Sequence, residues 1–210
     1  IPSPPEVAPE LPKAAPTLVP DLAGRSVQRF DLHQRLQHGL MALSFTVLVL
    51  SGWPLAGRGL GASRKLVALF GGIRGCALAH RIAAAGLIAA AIYHIVYLLV
   101  LRSRRRFEWA MLPSWNDARH VAQNLAYFVG VRKDPPRFGR YTYFEKFDYW
   151  AVFWGVVIMV GSGFIRWFPV QTTRWLPAWV YQIAHYAHAD EALLAALAIF
   201  VWHFYNVHLR

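Results

Sequence analysis

Two stretches of this chain each carry a pair of histidines at nearly the same spacing. His188 and His203 are 15 residues apart, and His80 and His94 are 14 apart. On an α-helix either pair is separated by about 21–23 Å and differs by about 40–60° in azimuth. Each helix then shows two imidazoles on one face, one near each end. Two such helices face to face can clamp two flat cofactors, one above the other. Haem ligated by two histidines is the group this geometry fits best. The spacing therefore predicts an electron-carrying site rather than an acid–base one, and no catalytic residues are assigned.

The helices that must position these imidazoles are apolar. Of the 210 residues 56% are hydrophobic, against about 45–50% in a typical soluble domain. Aromatics reach 15%, with nine Trp, while charged residues fall to 16%. Four runs free of Asp, Glu, Lys and Arg cover 39–57, 82–101, 149–165 and 192–209, or 19, 20, 17 and 18 residues. Each is near the roughly 20 residues that cross a hydrocarbon core. The pattern predicts an all-α integral-membrane protein, a four-transmembrane-helix bundle with haem b between the helices. The spans fall at approximately 36–56, 78–101, 147–168 and 179–209, within a domain covering 29–210.

Residues 1–28 read as a Pro/Ala-rich tail or linker with no means of building a core. The tail lacks the basic-then-apolar order of a signal peptide. It suggests the remnant of a longer precursor, or the tether of a domain outside this chain. The 102–146 loop holds a short amphipathic stretch, Asp117–Gly130, preceded by Trp109 and Trp115, within approximately 115–130. An interfacial helix is expected there.

The net charge of +11 does not point to nucleic acid, because the basic residues lie between the apolar runs as membrane anchors. Lys and Arg divide 15 to 7 in favour of the side that carries the N-terminus. Both termini are therefore expected in the cytoplasm. The single cysteine, Cys76, excludes an internal disulfide and a C-x-x-C-H haem attachment. A small buried apolar residue is the expectation for it.

An ionisable group within a span is costly and marks a functional site by default. By depth, His80 pairs naturally with His188 on the outer side, with His185 a poorer match in spacing. On the inner side His203 shares a face with His188, and its partner is His38 or His94. His208 lies about 140° around the helix from His203. It can serve quinone, or a third haem with a spare histidine. His33 and His120 read as surface residues. Gly39, Gly52, Gly86, Gly161 and Gly163, with Ala83–Ala85, would let a flat ring approach, although close helix packing explains small residues equally well.

Quinone chemistry moves protons, so titratable groups are needed at one membrane face. The candidates are Tyr141, Tyr143, Lys146, Asp148 and His208. Lys146 could equally anchor a helix end, and the tyrosines could belong to an aromatic belt.

Taken in order, these features resemble the membrane cytochrome b subunits of respiratory formate dehydrogenases (the gamma subunit), Ni-Fe hydrogenases and thiosulfate reductases. The resemblance covers roughly 29–210. It is carried by Arg35-x-x-His38 leading to Ser51-Gly52, by His80, by Gly139-Arg140-Tyr141 through Lys146 to Trp150, and by His188 with His203. The segments EKFDYWAVFW and HFYNVHL also resemble the subgroup found beside multihaem c-type cytochromes.

The resemblance implies two b haems, held by His80 with His188 and by His38 with His203. His94 departs from it. With His80, His188 and His203 it resembles instead the four-histidine spacing of quinol:cytochrome c oxidoreductase cytochrome b. The implied role is an electron-transfer subunit between quinone or menaquinone and a partner redox chain in the lipid bilayer. That partner is a multihaem cytochrome c, or an iron–sulfur, molybdenum or Ni-Fe enzyme subunit. A histidine-rich metal-ion transporter is the rival reading. It would be expected to place carboxylates among its histidines at the midplane.

Overall fold

The computed structural model describes residues 30–57, 60–107 and 109–205. The chain divides into 1–31, of which only Phe30 and Asp31 are described, and a helical unit over 32–210. Seven α-helices are described in that unit: α1 Leu32–Leu55, α2 Leu60–Leu69, α3 Ile73–Ser103, α4 Trp115–Phe128, α5 Tyr143–Trp167, α6 Pro169–Trp175 and α7 Ala178–Leu197. A π-helical segment, Ala198–His203, prolongs α7.

Among the described residues, α1, α3 and α5 are long and apolar enough to cross a membrane. The carboxylates Asp190 and Glu191 interrupt the apolar character of α7. Their burial pattern is the reverse of a soluble protein's. Large apolar side chains point outward, among them Leu43, Ile82, Leu99 and Phe200, each more than 60% exposed. The interior is small or polar: Ser44, Ser51, Cys76, Ala83, Ala90, Ser162 and Ala184. Small residues let helix backbones approach where lipid removes any hydrophobic drive for association.

Two antiparallel hairpins result, α1 against α3 and α5 against α7, joined to each other through α3 and α5. In the first, a Cβ on Gly86 would fall 2.6 Å from Ser44 Oγ, so any larger residue would force that hydroxyl to move. The short helices α2 and α6 lie at one end of the hairpins and α4 at the other. Gly71 and Gly72, with φ of +73° and +104°, turn the chain from α2 into α3.

Helix α4 is docked by its ends. The Asp117 carboxylate accepts from the Ser114 N–H at its start, and Gly130 with φ of +76° closes its finish. Thr142 and Glu145 cap α5 reciprocally, Thr142 N–H donating to Glu145 Oε2 and Glu145 N–H to Thr142 Oγ1. Lys146 Nζ reaches both Asp117 oxygens at 2.9 Å, and Asn124 Nδ2 donates to Tyr143 Oη at 2.8 Å. These contacts tie α4 to the first turn of α5.

Candidate functional site

The helical hairpins bring histidines together in two places. Near the α2 end, the rings of His80 on α3 and His188 on α7 stand 6.2 Å apart between centroids. Near the α4 end, His38 on α1 and His203 at the close of the π segment stand 6.3 Å apart. A metal–imidazole bond of about 2 Å, plus about 1.1 Å from nitrogen to ring centre, taken on both sides, gives about 6 Å. Both pairs are spaced to ligate one metal from opposite faces. Along α7 the two places are about 20 Å apart.

The pair near the α2 end is supported identically on both hairpins. Ser51 Oγ donates to the Val47 carbonyl at 2.6 Å and lies 3.1 Å from His80 Nδ1. Ser162 Oγ donates to the Ile158 carbonyl at 2.6 Å and lies 2.9 Å from His188 Nδ1. Each hydroxyl has one proton, already given to a backbone carbonyl, so its oxygen can only accept from the imidazole. Nδ1 of each ring therefore carries the proton, and Nε2 keeps a lone pair for a metal.

The residue after each serine is glycine, for a steric reason. A Cβ on Gly52 would stand 3.1 Å from His80 Cε1, and one on Gly163 would stand 3.3 Å from His188 Cε1. Ser-Gly thus forms the same cradle twice. The histidine spacing does not reveal it, although the repeated dipeptide late in two apolar runs is its visible signal. Gly39 and Gly161 have open space where a Cβ would be, so they shape neither pair.

Near the α4 end the support differs. Asp148 Oδ2 lies 3.9 Å from His203 Nδ1, placing a carboxylate rather than a hydroxyl behind that ring. His94 has both ring nitrogens engaged, Nδ1 with Gln37 Oε1 at 2.9 Å and Nε2 with Tyr149 Oη at 2.9 Å. It ties α1, α3 and α5 together through polar contacts.

Of the groups considered for quinone chemistry, Lys146 and Tyr143 are used in docking α4. Tyr141 lies under the Arg140 guanidinium at 5.5 Å, and Asp148 faces His203. His208 lies outside the described residues. His33 Nδ1 is 2.7 Å from Tyr93 Oη. His120 packs edge-on against Phe138. His185 packs against its neighbour Tyr186 and takes no part in the ring pair formed by His188. No group of three or more His, Cys, Asp or Glu suited to a metal ion occurs among the described residues.

The family model described as prokaryotic cytochrome b561 matches residues 29–209. The chain belongs to the prokaryotic cytochrome b561 family. It is thus a membrane b-type cytochrome involved in electron transfer, and the family binds haem b. No curated protein and no solved structure matches it significantly.

Proposed function

We propose that this cytochrome b561 protein holds two b haems at different depths of the bilayer. It would pass electrons between the quinone pool and a partner redox subunit. The observation that carries this reading is the pair of imidazole–imidazole separations, 6.2 and 6.3 Å. Haem held by such a pair of histidines would supply reversible one-electron iron chemistry.

The chain's own contribution is to fix and tune those positions. His80 and His188 form the ligand pair near the α2 end, oriented by Ser51 and Ser162. His38 and His203 form the pair near the α4 end. His94, bonded at both nitrogens, acts as a structural tie between helices rather than a ligand. The fourth span is α7 continued through the π segment, and the α4 end faces the cytoplasm, as the Lys and Arg distribution favours.

Helix α4 and the Tyr141–Asp148 segment lie at the same end as the His38–His203 pair. A quinone taken up there would find its proton-active groups close to that haem. Tyr141 and Asp148 are the members of the original set best suited to this, since Lys146 and Tyr143 are committed to α4. The partner, a multihaem cytochrome c or an iron–sulfur subunit, would meet the opposite end.

The metal-ion transporter reading fares less well. A bare cation held by protein alone needs three or more ligands. A porphyrin supplies four of its own and asks the chain for two. Pairs are what these helices present. A reduced-minus-oxidised difference spectrum of the purified protein, taken with its metal content, separates the readings. A sharp b-type α-band with iron is expected. Bound zinc or manganese without haem would favour the transporter.

A further inference from the structure

At the α2 end the two hairpins carry three described arginines close to aromatic rings or to the His80–His188 pair. Two have evident occupations. The Arg81 guanidinium lies 5.2 Å from the centre of the Trp167 ring, and that of Arg174 lies 5.9 Å from Trp175. Each places its charge over an indole face.

The third, Arg166, is different. Its Nε is withdrawn from solvent and has no hydrogen-bond partner among the described residues. A cation in the last turn of α5 suits the helix dipole, but that does not account for a guanidinium nitrogen buried without an acceptor. Arg166 lies one helical turn beyond Ser162, on the same face of α5, about 6 Å further along the axis. Ser162 itself lies 2.9 Å from His188 Nδ1, so this face of α5 is turned toward the His80–His188 pair. A guanidinium with a withdrawn, unpartnered Nε is completed by a carboxylate, which it can bind with two parallel N–H donors.

We propose that Arg166 binds a carboxylate on the edge of the porphyrin held between His80 and His188. This rests on the two-haem reading above. The guanidinium would anchor that group between the two imidazoles. Its positive charge also favours the reduced iron, which carries one unit of charge less, so it raises that haem's potential.

The test is a potentiometric titration of both haems, with haem retention measured by transfer to apomyoglobin. Arg166→Gln is expected to lower one midpoint, leave the other, and weaken retention of one haem roughly tenfold or more. Arg174→Gln removes the same charge at the same end and should change neither. Haem dimethyl ester, reconstituted into His203→Ala apoprotein, lacks the carboxylates while Arg166 stays in place. It should escape faster than haem from the His80–His188 site, isolated in that variant. Unchanged midpoints and retention in Arg166→Gln, or ester haem held as firmly as haem, would overturn the assignment. A wild-type protein lacking the two-haem spectrum would instead sink the reading on which it rests.

Discussion

Ser162 Oγ lies 2.9 Å from Nδ1 of His188. With its proton already given to the Ile158 carbonyl, that oxygen fixes one tautomer of the ring and leaves the Nε2 lone pair free. Ser51 does the same for His80 from the other hairpin. The site near the α2 end is thus oriented from both sides before any metal binds, which spares the rotational freedom the rings would otherwise lose.

The first prediction concerns these hydroxyls. Ser51→Ala and Ser162→Ala each leave a buried Nδ1–H without an acceptor. Partners of this kind are worth about 10- to 100-fold in metal affinity. One haem of the two should transfer to apomyoglobin faster in either variant, and the double variant should lose it most readily. Equal transfer rates in all three would show that the serines do not orient the ligands.

The glycines that follow should be intolerant for steric reasons. Gly52→Val and Gly163→Val would press a branched side chain against imidazoles that a single Cβ already meets at 3.1 and 3.3 Å. The α-band amplitude should fall to about half, with the remaining haem assigned to His38–His203. Gly39→Val, where the space is open, is the matched comparison and should keep both haems.

His38 and His94 should behave oppositely. His38→Ala removes a ligand and should reduce haem content to one per chain. His94→Ala should keep two. It leaves Gln37 and Tyr149 without their shared partner, at a cost of about 1–3 kcal/mol. Its inactivation temperature in detergent should therefore fall although its spectrum is retained. Loss of haem in His94→Ala with none in His38→Ala would reverse the assignment.

The docking of α4 should respond to pH in one direction only. Partial burial alone would raise the Asp117 pKa. The hydrogen bonds from Lys146 and Ser114 outweigh it and hold the carboxyl below its usual range. A depressed folded-state pKa contributes stability above the unfolded value, about 4, which is lost as pH falls through the folded one. Hydrogen exchange in α4 should therefore show no added opening from this pair between pH 5 and 8. Opening should begin below about pH 4. In Asp117→Asn, α4 should open more readily across the whole range.

How much of this was legible beforehand depended on the range of each interaction. The histidine spacings along α3 and α7 are properties of single helices, so the sequence displayed them directly. The choice between His38 and His94 depends on which helix lies opposite, and spacing left it open. The structure engages both nitrogens of His94 with Gln37 and Tyr149, contacts 57 and 55 residues away in sequence. The π segment rotates the described residues after Ala198 relative to an ideal helix, and nothing in AIFVWH announces it. Helices α2 and α6 were hidden because they are short and lie among basic and capping residues. Arg166 reads in sequence only as one of the basic residues that flank the apolar runs, and the withdrawal of its Nε from solvent is a tertiary fact.

The account stands most directly on haem counted per polypeptide in the purified protein and in two single variants. Two b haems per chain are predicted for the wild type, with one each in His80→Ala and His203→Ala, each variant losing a different component of the α-band. A colourless wild type, or two haems kept in both variants, would contradict it.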